Sequence, residues 1–198
     1  MTEVDAARIE RAVRELLLAI GEDPDRAGLQ RTPARVAEAY AEYFSGIGAD
    51  PQVHLADSVD TGSADDGEPA TGDAVVLRDL HFRSVCEHHL LPFTGAAHVA
   101  YLPGAKVVGL GRIPAVVDTI ASRPQLQERL AEEIADALEA GLAPRGVLVV
   151  LDAVHGCVTT RGPRQEHSST VTVASRGALA EPAARAEIIA LIGSGRGV

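Results

Sequence analysis

The sequence predicts an α+β protein, with helices and antiparallel strands in separate runs rather than in strict alternation. Three observations carry that expectation. Apolar residues recur at helical spacing near the N-terminus, and again over a longer run around residues 126–142. Two pairs of stretches rich in Val, Leu and Ala, alternating or continuously apolar, flank that longer run. The linear order is then helices, two strands, a long helical stretch, two strands and a last helix.

Val4, Ile9, Val13, Leu16, Leu17 and Ile20 place one apolar stripe on a first helix, with charges between them. "GEDPDRAGLQRTPARV" punctuates it. Pro24 and Pro33 each suit a first helical turn, with Asp23 and Thr32 as N-caps. A second helix carries Val36, Tyr40, Tyr43 and Phe44. Over 49–73 Asp, Gly, Ser, Thr and Pro dominate, and no Lys or Arg falls between Val36 and Leu77. That composition predicts a mobile acidic connection. The expected division is a helical segment over 1–48, the acidic loop over 49–73 and a main domain over 74–198.

"AVVLRDLHFRSV" and "GAAHVAYLP" predict an antiparallel pair around a turn that holds "CEHH". "IPAVVDTIASRPQLQERLAEEIADALEAGL" predicts a helical stretch with Leu126, Leu130, Ile134, Leu138 and Leu142 on one face. Pro124 is expected to start its long part. "GVLVVLDAVHGCV" reads as a continuous apolar strand, "STVTVASRG" as an alternating one, and 182–192 as a final helix.

With 198 residues the chain can bury one real core. A net charge of −10 argues against binding a phosphodiester backbone, and 3% aromatic content without Trp argues against base-stacking platforms. An anionic small molecule remains possible where arginines gather locally. No apolar run reaches the length of a bilayer span, and the N-terminus lacks the shape of a signal peptide. The expectation is a cytoplasmic protein without membrane or nucleic-acid partners. There, two cysteines suit a metal or catalysis better than a disulfide.

The cysteines direct attention to two places. "SVCEHHLLPF" sets Cys86, Glu87, His88 and His89 side by side, and "AVHGCVTTRG" holds the second cysteine, Cys157, two residues after His155. If the preceding strand continues, His155 and Cys157 project from one face. Cys86 and His89 can converge across a tight turn. Two thiolates and one imidazole suit zinc, and three protein ligands leave the fourth position open, as catalytic zinc sites do. Spacing leaves open whether His88 or His89 is the ligand. The other, with His155, is free for acid–base work. The competing readings are a closed structural site with His155 as fourth ligand, and unconnected core cysteines. His54, His81, His98 and His167 read as ordinary surface or core residues.

"GEDPDRAGLQRTPARVAEAY", "SVCEHHLLPFTGAAHVAYLP", "VVGLGRI", "RPQLQERL" and "AVHGCVTTRG" occur in that order from about residue 4 to residue 180. Together they resemble the GTP cyclohydrolase I family. The resemblance implies conversion of GTP to 7,8-dihydroneopterin triphosphate with release of formate, the first step towards folate and other pterins. It implies zinc held by Cys86, His89 and Cys157, with His88 and His155 as the acid–base pair. Gln127 and Glu128 match residues that hold guanine. Arg161, Arg112 and Arg35 match triphosphate ligands, Arg35 reaching in from a neighbouring subunit, and the backbone at Leu110 lines the pocket. The implied architecture is the tunnelling fold, an antiparallel four-stranded sheet with a helical layer, preceded here by the N-terminal helices. Its copies associate into barrels and stack as a homodecamer with active sites between subunits. The chain departs from the family pattern at Gly111 for serine, Arg112 for lysine and Ala115 for arginine. Glu38 stands where a basic residue is frequent. These changes keep a second reading in view: a related zinc hydrolase that takes another guanine nucleotide or stops at the ring-opened formamide.

Overall fold

The computed structural model describes residues 4–60 and 73–193. Helix α1 (Ala6–Ala19) starts where the Asp5 carboxylate accepts the Arg8 N–H, satisfying one orphan donor of the first turn. It packs on α2 (Thr32–Tyr43), which has Pro33 in its first turn. Two capping expectations change. Thr32 lies inside α2 and Arg31 takes the cap position, with no side-chain cap bond. Pro24 starts no helix. The Asp23 carboxylate turns back to the Asp25 N–H, and residues 21–31 run as turns. Of the expected stripe on α1, only Leu17 is buried, and Leu16, Leu18 and Ile20 face outward.

The first part of the expected acidic loop is docked rather than loose. Pro51–His54 forms a 3-10 turn capped by Asp50. Behind it Leu55 is 2% exposed and joins the main core. Gln52 donates to the Ala137 carbonyl, and His54 lies 2.9 Å from the Thr119 hydroxyl. One buried leucine and two tertiary hydrogen bonds outweigh the loop-like composition. Then β1 (Val59–Asp60) pairs antiparallel with β4 (Lys106–Val107). The rest of the expected loop, 61–72, lies outside the described residues.

The main sheet is an antiparallel meander of β2 (Val75–Cys86), β3 (Pro92–Leu102), β6 (Gly146–His155) and β7 (Thr170–Gly177). A fifth, two-residue strand, β5 (Pro124–Gln125), lies parallel to the end of β2, with Val85 opposite Pro124 and Cys86 opposite Gln125. The expected four-stranded sheet therefore has five strands, and Pro124 belongs to an edge strand instead of a helix start. An edge tolerates its missing N–H. Leu126 stays extended, and α4 (Gln127–Leu142) begins after it.

Helices α3 (Arg112–Ala121) and α4 cover one face of the sheet. Leu130, Ile134 and Leu138 meet Phe82, Phe93, Val99, Tyr101 and Leu151 there in one core. The opposite face is covered by α6 (Pro182–Gly193) and the 3-10 turn before it, whose Ile188 and Leu179 pack on Ala100 and Leu148. A bulge interrupts the β2–β3 ladder. Leu77 opposes Val99 and Leu80 opposes Ala97, so residues 78 and 79 together face His98. Asp79 sits there at φ 56° and donates its N–H to His98 Nδ1 at 3.1 Å. The core-facing positions of β2 consequently switch from Val75 and Leu77 to Leu80, Phe82 and Cys86. No helix among the described residues is long and apolar enough to cross a membrane.

Candidate metal centre and active site

The turn between β2 and β3 is tight. The Leu90 N–H bonds back to the Cys86 carbonyl and the Cys86 N–H to the Leu91 carbonyl, both at 2.9 Å, with Leu90 at φ 51°. This folds His89 over Cys86, leaving Nδ1 3.8 Å from Sγ. On the far side β6 ends at His155 and the chain winds into a single helical turn, α5 (Gly156–Thr159). Cys157 therefore reaches the centre from a turn, not from a continuing strand. Gly156 allows the close approach, because a Cβ there would meet the Pro92 carbonyl oxygen at 2.8 Å.

Cys86, His89 and Cys157 each bring one donor atom, all within 4.8 Å of one another. Tetrahedral zinc, with bonds of about 2.3 Å to sulfur and about 2.0 Å to nitrogen, needs a sulfur–nitrogen separation of about 3.5 Å. The donor set fits. His88 stays out of this cluster, its ring 6.2 Å from that of His89 and edge-on to it. His155 also stays out, since its Nε2 lies 2.7 Å from Gln127 Oε1. The described residues thus bring together three donors that could hold a metal and leave His155 outside the set.

Cys86, His88, His89, Gln127, Glu128, His155 and Cys157 line one pocket of about 190 Å³. Small-molecule sites usually enclose about 300–1,000 Å³. One chain alone therefore offers room for part of a nucleotide triphosphate, not all of it. Burial pushes the His155 imidazole below its usual pKa, partly offset by the Glu128 carboxylate. Burial, and next the neighbouring Cys86 sulfur, push the Cys157 thiol up, while Arg161 pulls the other way. A cation at the centre would reverse that balance and favour both thiolates.

Not every expected residue converges. Arg161 follows α5 on the surface, and Arg35 is exposed on α2. Leu110 is exposed just before α3, and Arg112 opens α3 in an ion pair with Asp57 at 2.5 Å. None of the four lines the pocket. Gln127 lines the pocket but is only 2% exposed, its amide donating to the Leu151 and Thr170 carbonyls and facing His155.

Five supporting residues were not assigned a role from the sequence. Glu87 pairs with Arg129 of α4 and its N–H bonds the Gln125 carbonyl, fixing the turn to β5. Arg129 also donates to Gln125 Oε1, and Gln125 to Glu133. Their spacing of four (125, 129, 133) was the available signal. Phe93, 1% exposed, stacks on His155 with centroids 4.6 Å apart and planes 9° from parallel. It stood in the apolar "LLPF" beside the histidines.

The sequence profile of the GTP cyclohydrolase I family matches residues 9–193. A protein of Leifsonia xyli subsp. xyli called GTP cyclohydrolase 1 is 63% identical over 195 residues, which is 98% of this chain and 99% of that one. A protein of the same name from Rhodopirellula baltica is 52% identical over 191 residues, 96% of this chain and 80% of that one. Among solved structures, the archaeosine synthase QueF-Like in the apo form aligns with 54% of this chain and 96% of its own, at a TM-score of 0.45 and 21% identity.

Proposed function

The chain belongs to the GTP cyclohydrolase I family, and from that premise we propose how its own residues serve the conversion of GTP to 7,8-dihydroneopterin triphosphate and formate. The observation that carries the reading is the convergence of Cys86, His89 and Cys157 in the pocket that His88, His155 and Glu128 also line. Two thiolates and an imidazole favour zinc over harder cations. Bound there, zinc would supply Lewis acidity and water ionisable near neutral pH.

The protein supplies the rest. His155 stacks on Phe93, and its Nε2 lies 2.7 Å from Gln127 Oε1. His88 projects from the turn beside the ligands and can move a proton to or from a purine nitrogen, while His155 serves the later ribose steps. Glu128, at the start of α4, offers a carboxylate to the guanine N1–H and exocyclic amine. Adenine has no donor at N1, so the pocket selects guanine. Arg161, Arg112 and Arg35 take the triphosphate outside the single-chain pocket, together with the backbone at Leu110.

The small pocket and the one-sided pairing of β7 support completion by a second copy. Among the described residues β7 pairs only with β6, and Val171 and Val173 are exposed on it. The proposal is a tunnelling-fold assembly, a decamer in the cytoplasm, with residues 74–198 as the catalytic domain behind the helical segment and the connection over 49–73. The runner-up, a hydrolase that takes another guanine nucleotide or stops at the formamide, draws on Gly111 and Ala115.

The test is turnover with GTP, following formate and the fluorescent oxidised pterin together, with zinc measured per chain. The expected result is one zinc per chain and equal yields of both products. Formate without pterin would select the runner-up. Cys157→Ser should lose zinc and activity, whereas His88→Ala should keep zinc while kcat falls about 10²–10⁴-fold. Loss of zinc from His88→Ala would overturn the assignment of ligand and proton carrier.

A further inference from the structure

We propose that Gln127 is a positioning residue that sets the tautomer and plane of the His155 ring. The inference rests on the functional reading above for its kinetic consequence, and on hydrogen-bond chemistry for its structural content.

Gln127 Nε2 lies 3.1 Å from the Leu151 carbonyl oxygen and 2.8 Å from the Thr170 carbonyl oxygen. Both are acceptors only, and only the NH2 end of the amide can donate to them. The amide cannot be flipped without setting its oxygen against two carbonyls. Its Oε1 therefore faces His155 Nε2, 2.7 Å away, and an amide oxygen only accepts. The proton between them must belong to the imidazole. His155 is thereby held as the Nε2–H tautomer, with Nδ1 as the nitrogen left for proton exchange.

The anchors of this amide are strand backbones. Leu151 lies in β6, four residues before His155, and Thr170 opens β7. Gln127 itself is the first residue of α4 and is 2% exposed. Three elements thus fix one amide, the amide fixes one ring nitrogen, and Phe93 fixes the ring plane. Neighbouring Glu128 is exposed and has its carboxylate free for substrate. The adjacent pair divides the labour: Gln127 serves the histidine and Glu128 the base.

The experiment uses the zinc-loaded, full-length enzyme with Gln127→Met and Gln127→Glu, each alone and with His155→Ala. Methionine removes the acceptor at similar volume. Glutamate keeps an acceptor for the Nε2–H but sets a second oxygen against the two carbonyls, where methionine only leaves them without that donor, so it is the more disruptive change structurally. A buried carboxylate orienting a catalytic histidine is worth about 10⁴ in kcat in serine proteases. A neutral amide holds the ring less firmly, and Gln127→Met should lower kcat about 10- to 100-fold with KM for GTP and zinc content close to wild type. Gln127→Glu should keep more of kcat than Gln127→Met although it melts no higher. In the His155→Ala background Gln127→Met should cost nothing further, because the two act as one unit.

Losses of kcat that follow melting temperature across both variants would overturn the proposal. So would an undiminished effect of Gln127→Met when His155 is absent. The ring ¹⁵N signals of His155 at neutral pH give a reading that needs no turnover. Wild type should show Nε2 protonated and Nδ1 bare, and the opposite pattern refutes the assignment. If the wild-type enzyme released no formate from GTP, the functional reading would fall while the ¹⁵N signals still decided the tautomer.

Discussion

Phe93→Leu tests whether the core and the site share one support. Phe93 lies parallel to His155 at 4.6 Å and edge-on to Phe82 at 6.1 Å and 80°. Aromatic pairs of these kinds contribute about 0.5–1.5 kcal/mol each beyond area burial, so both together are worth about 1–3 kcal/mol. Leucine fills much of the volume, and the remaining mismatch adds up to about 1 kcal/mol. A destabilisation of about 1–4 kcal/mol follows. For a chain of this length each kcal/mol moves the midpoint by about 2–4 °C, giving a fall of about 2–16 °C by calorimetry. The same ring limits rotation of His155 out of its plane, so kcat for GTP should fall about tenfold with zinc retained. A melting shift below about 1 °C would refute the packing argument. A full shift with unchanged kcat would show that Phe93 serves the core alone.

Gly156→Ala should displace α5 from Pro92 and spread the three donors, lowering zinc affinity about 10- to 100-fold in a chelator competition, the scale usual for residues that orient metal ligands. An unchanged affinity would mean that the turn shifts without moving Cys157. Ala115→Arg adds a cation to α3 near its N-terminus, where backbone N–H groups already favour anions. If the triphosphate lies there, KM for GTP should drop several-fold with kcat unchanged, less so in high salt, and guanosine should gain nothing. An equal gain for guanosine would rule out a phosphate contact.

The strands, the long helix and the four residues around Cys86 were legible in the sequence because each obeys a local period. Leu130, Ile134, Leu138 and Leu142 all fall in the core as their spacing requires. What escaped depends on distant partners. Leu55 in an acidic stretch is held by α3 and α4, which composition does not register. Pro124 pairs with a strand that lies well before it in the chain. The separation of His89 as the clustered imidazole from His88 required the backbone of the turn. The contacts of the Gln127 amide required two carbonyls from other strands, which no local pattern reveals. The bulge left a trace, a slip in alternation between Leu77 and Leu80, that is readable only once a break is suspected.

That slip decides where this chain can change length. Residues 78 and 79 share one opposing residue, so dropping either would leave Leu80 through Val85 facing the same partners as before. Dropping one residue between Phe82 and Cys86 instead would swap inner for outer side chains on one side of the cut. With the hairpin end held, Cys86 would keep its place while Phe82 turned to water. With the other end held, Phe82 would stay and the sulfur would leave the pocket. One strand therefore carries a permissive stretch and a forbidden one a few residues apart. Among descendants of this gene, deletions should accumulate at the first and be purged from the second, whatever residues surround them.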